Sequence, residues 1–220
     1  MKRLVLALAS LVFLIFLVSC NSNKPDQGSR FGSPDYSTIN RENKSRDAWQ
    51  KPEELIHVLG DLSGYTIADI GAGTGYFTFR LALVAKNVIA VEIDPDMIDL
   101  IEAFKINLPE RLTDKIETRL GSADSSNLLK GEADIIILIN TIAYIDDKVS
   151  YLRHLYDVLP EGGRLVVVDY KQSKLPASID RGPKPITHES LNSILRACFF
   201  KELKADLETL EYQFITIAQK

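Results

Sequence analysis

Residues 68–77 read Ala68-Asp69-Ile70-Gly71-Ala72-Gly73-Thr74-Gly75-Tyr76-Phe77, an apolar run passing through three glycines into a helical pattern. Strand, glycine turn and helix in that order predict the first strand-to-helix turn of a doubly wound α/β sheet. Ligands bind such sheets at the carboxyl ends of the strands. Glycine there tolerates positive φ and lets a ligand approach the backbone closely. Two residues set this turn apart from a dinucleotide fingerprint. Tyr76 stands where G-x-G-x-x-G would place its last glycine, and Asp69 lies two residues before the loop. A carboxylate is poorly placed beside a pyrophosphate and well placed beside a cationic ligand.

Working outward, further apolar runs occur at Val88–Ile93, Ile116–Leu120, Ala133–Ile139 and Arg164–Asp169, with helical patterns at Tyr76–Ala85, Pro95–Asn107 and Lys148–Leu159. The alternation predicts βαβ units and a parallel sheet covered on both faces. Residues 135–139 (IIILI) and 165–169 (LVVVD) are almost unbroken in apolar character, so the sheet's centre is expected near them. After a helix around Thr187–Phe199, the pattern of residues 200–220 predicts a closing antiparallel hairpin on one edge.

The second strand ends Val91-Glu92-Ile93-Asp94-Pro95. Glu92 follows Gly71 at nearly the spacing at which an acidic side chain accepts bonds from both ribose hydroxyls. Asp94 reads as a helix N-cap ahead of Pro95 in the first turn.

Taken in order, ADIGAGTGYFT, VEIDPDM, GSAD at 121–124 and LPEGGRLVVVDY at 159–170 resemble the motifs of class I S-adenosylmethionine (SAM)-dependent methyltransferases over residues 65–170. The resemblance implies a Rossmann-like, mostly parallel seven-stranded sheet with a C-terminal antiparallel hairpin, and SAM as cofactor. It implies Gly71, Ala72, Gly73 and Gly75 against the ligand and Asp69 near its methionine end. Glu92 and Ile93 would lie at the ribose, and Ser122, Ala123 and Asp124 around adenine, with either Ser122 or Asp124 reading the exocyclic amine. Asn140 would face the ligand. The segment Arg46–Pro52 resembles one that closes over the cofactor in a bacterial branch of the family; Trp49 reads equally well as a packing anchor for a terminal helix.

Methyl transfer from a sulfonium needs alignment and desolvation more than acid–base machinery. Substrate-facing candidates are Asn140, Tyr144, Asp169, Tyr170, Lys171 and His188, with the long 171–185 loop as a lid. That loop carries Lys171, Lys174, Arg181 and Lys184 against Asp180, which hints at an anionic small-molecule or lipid acceptor. The three histidines are scattered without ligand spacing, so no metal site is expected. The end of the fourth strand, Ile139-Asn140-Thr141-Ile142, lacks the Asn/Asp-Pro-Pro-Tyr motif of methyltransferases acting on adenine or glutamine amino groups.

The formal net charge is -4, and loss of residues 1–19 with Lys2 and Arg3 would make it -6, so nucleic acid is not an expected partner. Lys2 and Arg3 precede an apolar run that ends Leu17-Val18-Ser19-Cys20 and resembles a bacterial lipobox. The expected organisation is a signal peptide at 1–19, a flexible tether at 20–45 beginning with an acylated Cys20, and a methyltransferase domain at 46–220. The expected address is lipid-anchored in the cell envelope, on the periplasmic side of an outer membrane if the source is Gram-negative. Three readings stay open: an active methyltransferase, a membrane-tethered SAM- or nucleoside-binding module without catalysis, and an NAD-dependent oxidoreductase.

Overall fold

A computed structural model of the protein describes residue 44 and residues 46–172 and 182–220. The lipobox-type sequence, Cys20, and Lys174, Asp180 and Arg181 of the expected lid lie outside the described residues. Among those described, no helix is long and apolar enough to cross a membrane.

Seven strands form one sheet: β1 (Thr66–Ile70), β2 (Asn87–Glu92), β3 (Ile116–Leu120), β4 (Ile135–Ile139), β5 (Arg164–Tyr170), β6 (Lys201–Asp206) and β7 (Gln213–Gln219), in the order β3-β2-β1-β4-β5-β7-β6. The first five are parallel neighbours, and β7 enters antiparallel between β5 and β6. Helices α1 (Pro52–Leu59), α2 (Tyr76–Val84), α3 (Pro95–Lys105), α4 (Glu110–Thr113), α5 (Lys148–Val158) and α6 (His188–Ala197) complete the domain, with one 3₁₀ turn at Ile142–Tyr144. The expected doubly wound sheet with a C-terminal antiparallel hairpin is therefore present. Helix α4 and the 3₁₀ turn are too short for periodicity to announce them.

Ile135, Ile136, Ile137 and Leu138 of β4 are all buried, which is why that strand reads as an unbroken apolar run. One face of the sheet packs with α5 and α6 through Leu152, Leu155, Leu191 and Leu195. The other packs with α1 and α2 through Leu55, Leu59, Phe77 and Leu81. Local signals set the helix starts. Asp94 accepts from the Asp96 backbone ahead of α3, Asp147 from Ser150 ahead of α5, and Thr187 from Ser190 ahead of α6.

Order β3-β2-β1-β4 reverses direction of travel at β1, so the carboxyl ends of β1 and β4 diverge and open a crevice there. The glycine turn sits at that place.

Candidate active site

Above the carboxyl ends of β1, β2, β4 and β5 lies a cleft of about 860 Å³. That volume is near the top of the roughly 300–1,000 Å³ range of small-molecule sites and leaves room for more than one ligand. Its floor is the glycine turn. Gly71, Gly73 and Gly75 all have positive φ, at 74°, 54° and 80°. Their reasons differ. A Cβ on Gly71 would meet the Thr141 hydroxyl at 2.5 Å, because Thr141 donates to the Ile70 carbonyl and ties β4 to β1. A Cβ on Gly73 would meet nothing within 4 Å, so Gly73 faces open cleft. A Cβ on Gly75 would strike the Phe79 ring at 2.6 Å; Gly75 caps α2 and does not line the cleft.

Asp69 is 3% exposed and lines the cleft, its Oδ2 accepting from the Thr78 hydroxyl at 2.7 Å. Burial pushes its carboxyl up to about 6, with the charge of Glu92 adding to the shift and Thr78 and Arg46 opposing it. Glu92 terminates β2 and accepts from the Gly73 backbone at 2.8 Å and from Ile93 at 2.7 Å. Its carboxylate therefore fixes the glycine turn against the end of the next strand. Ile93 is 61% exposed and lines the cleft together with Met97. In the turn after β3, the Ser122 hydroxyl accepts from the Ser125 backbone at 3.1 Å, while Asp124 and Ala123 line the cleft alongside it. Ser122 is thus engaged in its own turn, and Asp124 is the acid set toward the opening.

The far side belongs to β4 and β5. Asn140 lines the cleft with a left-handed φ of 59°, and its Oδ1 accepts from Gln213 Nε2 at 2.5 Å. Tyr144 and Tyr170 line the same side, and the Trp49 and Tyr170 rings stack at 5.8 Å and 30°. Burial raises the Tyr170 phenol to about 12, so it stays protonated at neutral pH.

Three of the substrate-facing candidates lie off the cleft. Asp169 is 1% exposed on the α5–α6 face, as the alternation of β5 requires, and burial pushes its carboxyl up to about 6. Lys171 donates through Nζ to the carbonyls of Leu207 and Leu210, each at 2.6 Å, and staples the β6–β7 connection to the end of β5. His188 pairs with Glu189 at 3.0 Å in the first turn of α6. A lysine or histidine near a strand end looks accessible in sequence; what its head group meets depends on tertiary contacts.

The roof comes from the Arg46–Pro52 segment that the resemblance implies would close over the cofactor, in which the resemblance does not single out Arg46 as a ligand-binding side chain. Residues 46–50 are helical, and Arg46 and Trp49 line the cleft. The guanidiniums of Arg46 and Arg80 each lie 4.0 Å from the Tyr76 ring centroid, which two groups can do only from opposite faces. The Tyr76 hydroxyl donates to Asp47 at 2.5 Å, and Arg80 pairs with the same oxygen at 2.7 Å. Arg46 is the only basic residue among the described lining residues, against Asp69, Glu92, Asp124, Asp146 and Asp147. Its charge interacts with Asp69 and its pKa is lowered, chiefly by burial. Among the described residues no group of three or more His, Cys, Asp or Glu could hold a metal.

These residues fit a ligand with a cationic centre, an amino-acid end and a ribose. Gly73 offers an open cradle, Asp69 and Arg46 opposite charges on one side of it, and Glu92 a carboxylate one strand away. The comparisons agree with the chemistry. A family model described as a methyltransferase domain matches residues 61–213. A demethylmenaquinone methyltransferase of Lactococcus lactis is 27% identical over 188 residues, 83% of this chain and 69% of its own length. The next curated relatives are spanned over only 34–39% of theirs. Among solved structures, a SAM-dependent methyltransferase from Aquifex aeolicus superposes with a TM-score of 0.70 at 21% identity, covering 84% of this chain and 98% of that one. A Haemonchus contortus phosphoethanolamine N-methyltransferase solved in complex with SAM superposes with a TM-score of 0.64 at 14% identity, covering 78% of this chain and 52% of that one. With the family model spanning well over half of the sequence and the sheet order and glycine turn in place, this chain belongs to the methyltransferase-domain family and is a class I SAM-dependent methyltransferase.

Proposed function

We propose that the protein methylates a small acceptor with a flat apolar body, held over the ends of β4 and β5 while SAM lies across β1, β2 and β3. The observation that carries this reading is an aromatic wall, Trp49, Tyr144 and Tyr170, by the ends of β4 and β5, next to the acids Asp69, Glu92 and Asp124 after β1, β2 and β3 and the guanidinium of Arg46; Asp146 and Asp147 after β4 and Tyr76 and Phe77 after the glycine turn line the cleft as well. SAM, when bound, supplies an electrophilic methyl on sulfur with a neutral thioether as leaving group. Asp69 receives the α-ammonium of the methionine end and Arg46 its carboxylate. Glu92 accepts from the ribose hydroxyls, and Asp124 from the adenine amine, since Ser122 is engaged in its turn. Ile93, Met97 and Ala123 supply apolar contact to the base.

Trp49, Tyr144 and Tyr170 give the acceptor flat faces that exclude water and hold its nucleophile in line with the carbon–sulfur bond. Five carboxylates against one guanidinium in the lining favour an uncharged acceptor over a strongly anionic one. The Lactococcus relative is named for a quinone-type acceptor, which has a flat ring, and this accords with the aromatic wall. Isothermal titration of residues 46–220 with SAM, S-adenosylhomocysteine and NAD tests the cofactor side. Binding of the first two without the third is expected; binding of NAD alone would overturn the reading.

The N-terminal sequence supports a second element of the proposal, that the chain is exported and held at a membrane by an acylated Cys20. Mass spectrometry of membrane-extracted protein is expected to find acylated Cys20 at the N-terminus. Retention of residues 1–19 would contradict it.

A further inference from the structure

We infer that Gln213, on the C-terminal hairpin, is a positioning residue that fixes the polarity of Asn140, so that the cleft presents an amide N–H donor to an oxygen of the acceptor. This inference rests on the proposed methyltransferase reading and narrows its acceptor class to molecules bearing a hydrogen-bond-accepting oxygen beside a flat body.

Gln213 opens β7 and pairs with Tyr170 of β5 in the antiparallel register, so the two side chains share a face at the end of the sheet. Gln213 is fully buried. Its Nε2 donates to Asn140 Oδ1 at 2.5 Å, and nothing among the described residues donates to its Oε1. A primary amide has one oxygen and one nitrogen at its tip, so committing the oxygen decides where the nitrogen goes. With Oδ1 turned down onto Gln213, Nδ2 is the end of Asn140 left for the cleft that the residue lines.

The backbone holds that choice in place. Asn140 has φ 59°, a conformation that asparagine and aspartate tolerate better than most residues, and its N–H donates to the Val168 carbonyl at 2.8 Å. A non-glycine residue in the left-handed region carries a conformational cost that other contacts must offset. The hairpin is itself tied to the sheet end. The Lys171 backbone N–H donates to the Tyr212 carbonyl at 2.8 Å, and its ammonium donates to the Leu207 and Leu210 carbonyls. Gln213 therefore has little freedom to follow Asn140 if the amide turns over.

The consequence is a preference that shape alone would not produce. An acceptor oxygen placed between Asn140 and the aromatic wall gains one neutral hydrogen bond, whereas an ammonium there meets a donor. The residue creating this preference sits outside the cleft lining and close to the C-terminus, where no family motif drew attention to it.

The test uses the full chain in detergent, loaded with S-adenosylhomocysteine, and two probes of matched shape, 2-acetylnaphthalene and 2-isopropenylnaphthalene, which differ in a carbonyl oxygen. Wild type is expected to bind the ketone about 2- to 10-fold more tightly, the worth of one net neutral hydrogen bond. The bound carbonyl stretch should also move to lower frequency. Gln213→Glu offers only acceptors to Asn140 when ionised, so it should draw Nδ2 toward itself, present Oδ1 to the cleft and abolish or invert the preference. Asn140→Asp, which suits the same φ, removes the donor and should do likewise. Melting temperature and S-adenosylhomocysteine affinity are followed in each protein. Loss of the ketone preference at near-wild-type cofactor affinity supports the relay. Equal binding of the two probes to wild type, or an unchanged preference in whichever of the two variants folds, would overturn it. Failure of wild type to bind S-adenosylhomocysteine would instead count against the methyltransferase reading, and that measurement comes first.

Discussion

Asp69 carries two opposed pH dependences in one side chain. Its carboxyl is pushed up to about 6, first by burial and then by Glu92, so in the free protein between about pH 4 and 6 the folded state holds a proton that the unfolded chain has released. Ionising Asp69 therefore lowers the stability of the free domain as pH rises through that window, and the full cost is present above it. Binding of a ligand ammonium has the reverse sign, because only the carboxylate attracts it. SAM affinity is expected to be level near pH 7.5 and to fall about tenfold per pH unit once pH drops below 6. Calorimetric titration from pH 5 to 7.5 checks this, with Asp69→Asn as reference. The variant should bind more weakly at pH 7.5 and lose the dependence attached to this group. An affinity that stays level down to pH 5 in wild type would remove Asp69 from the ammonium.

The glycine turn, as an element, contains three glycines that look equivalent in sequence and serve different ends. Gly71→Ala places a Cβ 2.5 Å from the Thr141 hydroxyl that ties β4 to β1, in a left-handed backbone besides. Gly73→Ala meets no atom within 4 Å and bears only the left-handed cost, about 1–2 kcal/mol. Melting curves and SAM titrations of the two variants should separate the effects. Gly71→Ala should be the less stable protein, and Gly73→Ala should lose SAM affinity out of proportion to its modest destabilisation. An equal loss of stability in both would contradict the division. The strands, their centre at residues 135–139 and the closing hairpin were legible because buried strands carry apolar runs and turns carry glycine. The charged candidates near the cleft were harder to sort. Asp69 and Glu92 are fixed by a strand end and a glycine turn, which sequence displays. Lys171 finds its partners 36 and 39 residues later, in the β6–β7 connection, which sequence spacing leaves open. Arg46 and Gln213 lie 25 and 142 residues from Gly71, so sequence spacing does not show that the Arg46 side chain lines its cleft or that Gln213 bonds the lining residue Asn140.

At the scale of the whole molecule, the cleft has a floor made by the sheet ends and a roof, residues 46–50, that meets it through Tyr76, Arg80 and Tyr170. The fastening centres on Tyr76, the residue that replaced the last glycine of a dinucleotide fingerprint, held between Arg46 and Arg80 and bonded to Asp47. A ligand touching both floor and roof would stabilise the folded domain by mass action, about 2.7 kcal/mol at a hundred times its Kd. Arg46 is the residue through which SAM would do so, because its guanidinium is the one cation among the described lining residues. If it receives the methionine carboxylate, Arg46→Ala should cost the 1.5–3 kcal/mol of a charge-assisted bond, roughly 10- to 150-fold in SAM affinity. Arg46→Lys should recover part of that loss, since it keeps the charge and gives up the planar fork. The decisive control is 5′-methylthioadenosine, which has the nucleoside and sulfur but lacks the amino-acid end. Its affinity should change little in Arg46→Ala, because Glu92, Asp124 and the apolar contacts to the base are untouched. Amide hydrogen exchange at residues 46–50 should slow on adding SAM to wild type and respond far less in the variant. If Arg46→Ala weakens SAM and 5′-methylthioadenosine by the same factor, Arg46 acts on the cleft as a packing group through Tyr76, and the carboxylate must find its partner elsewhere.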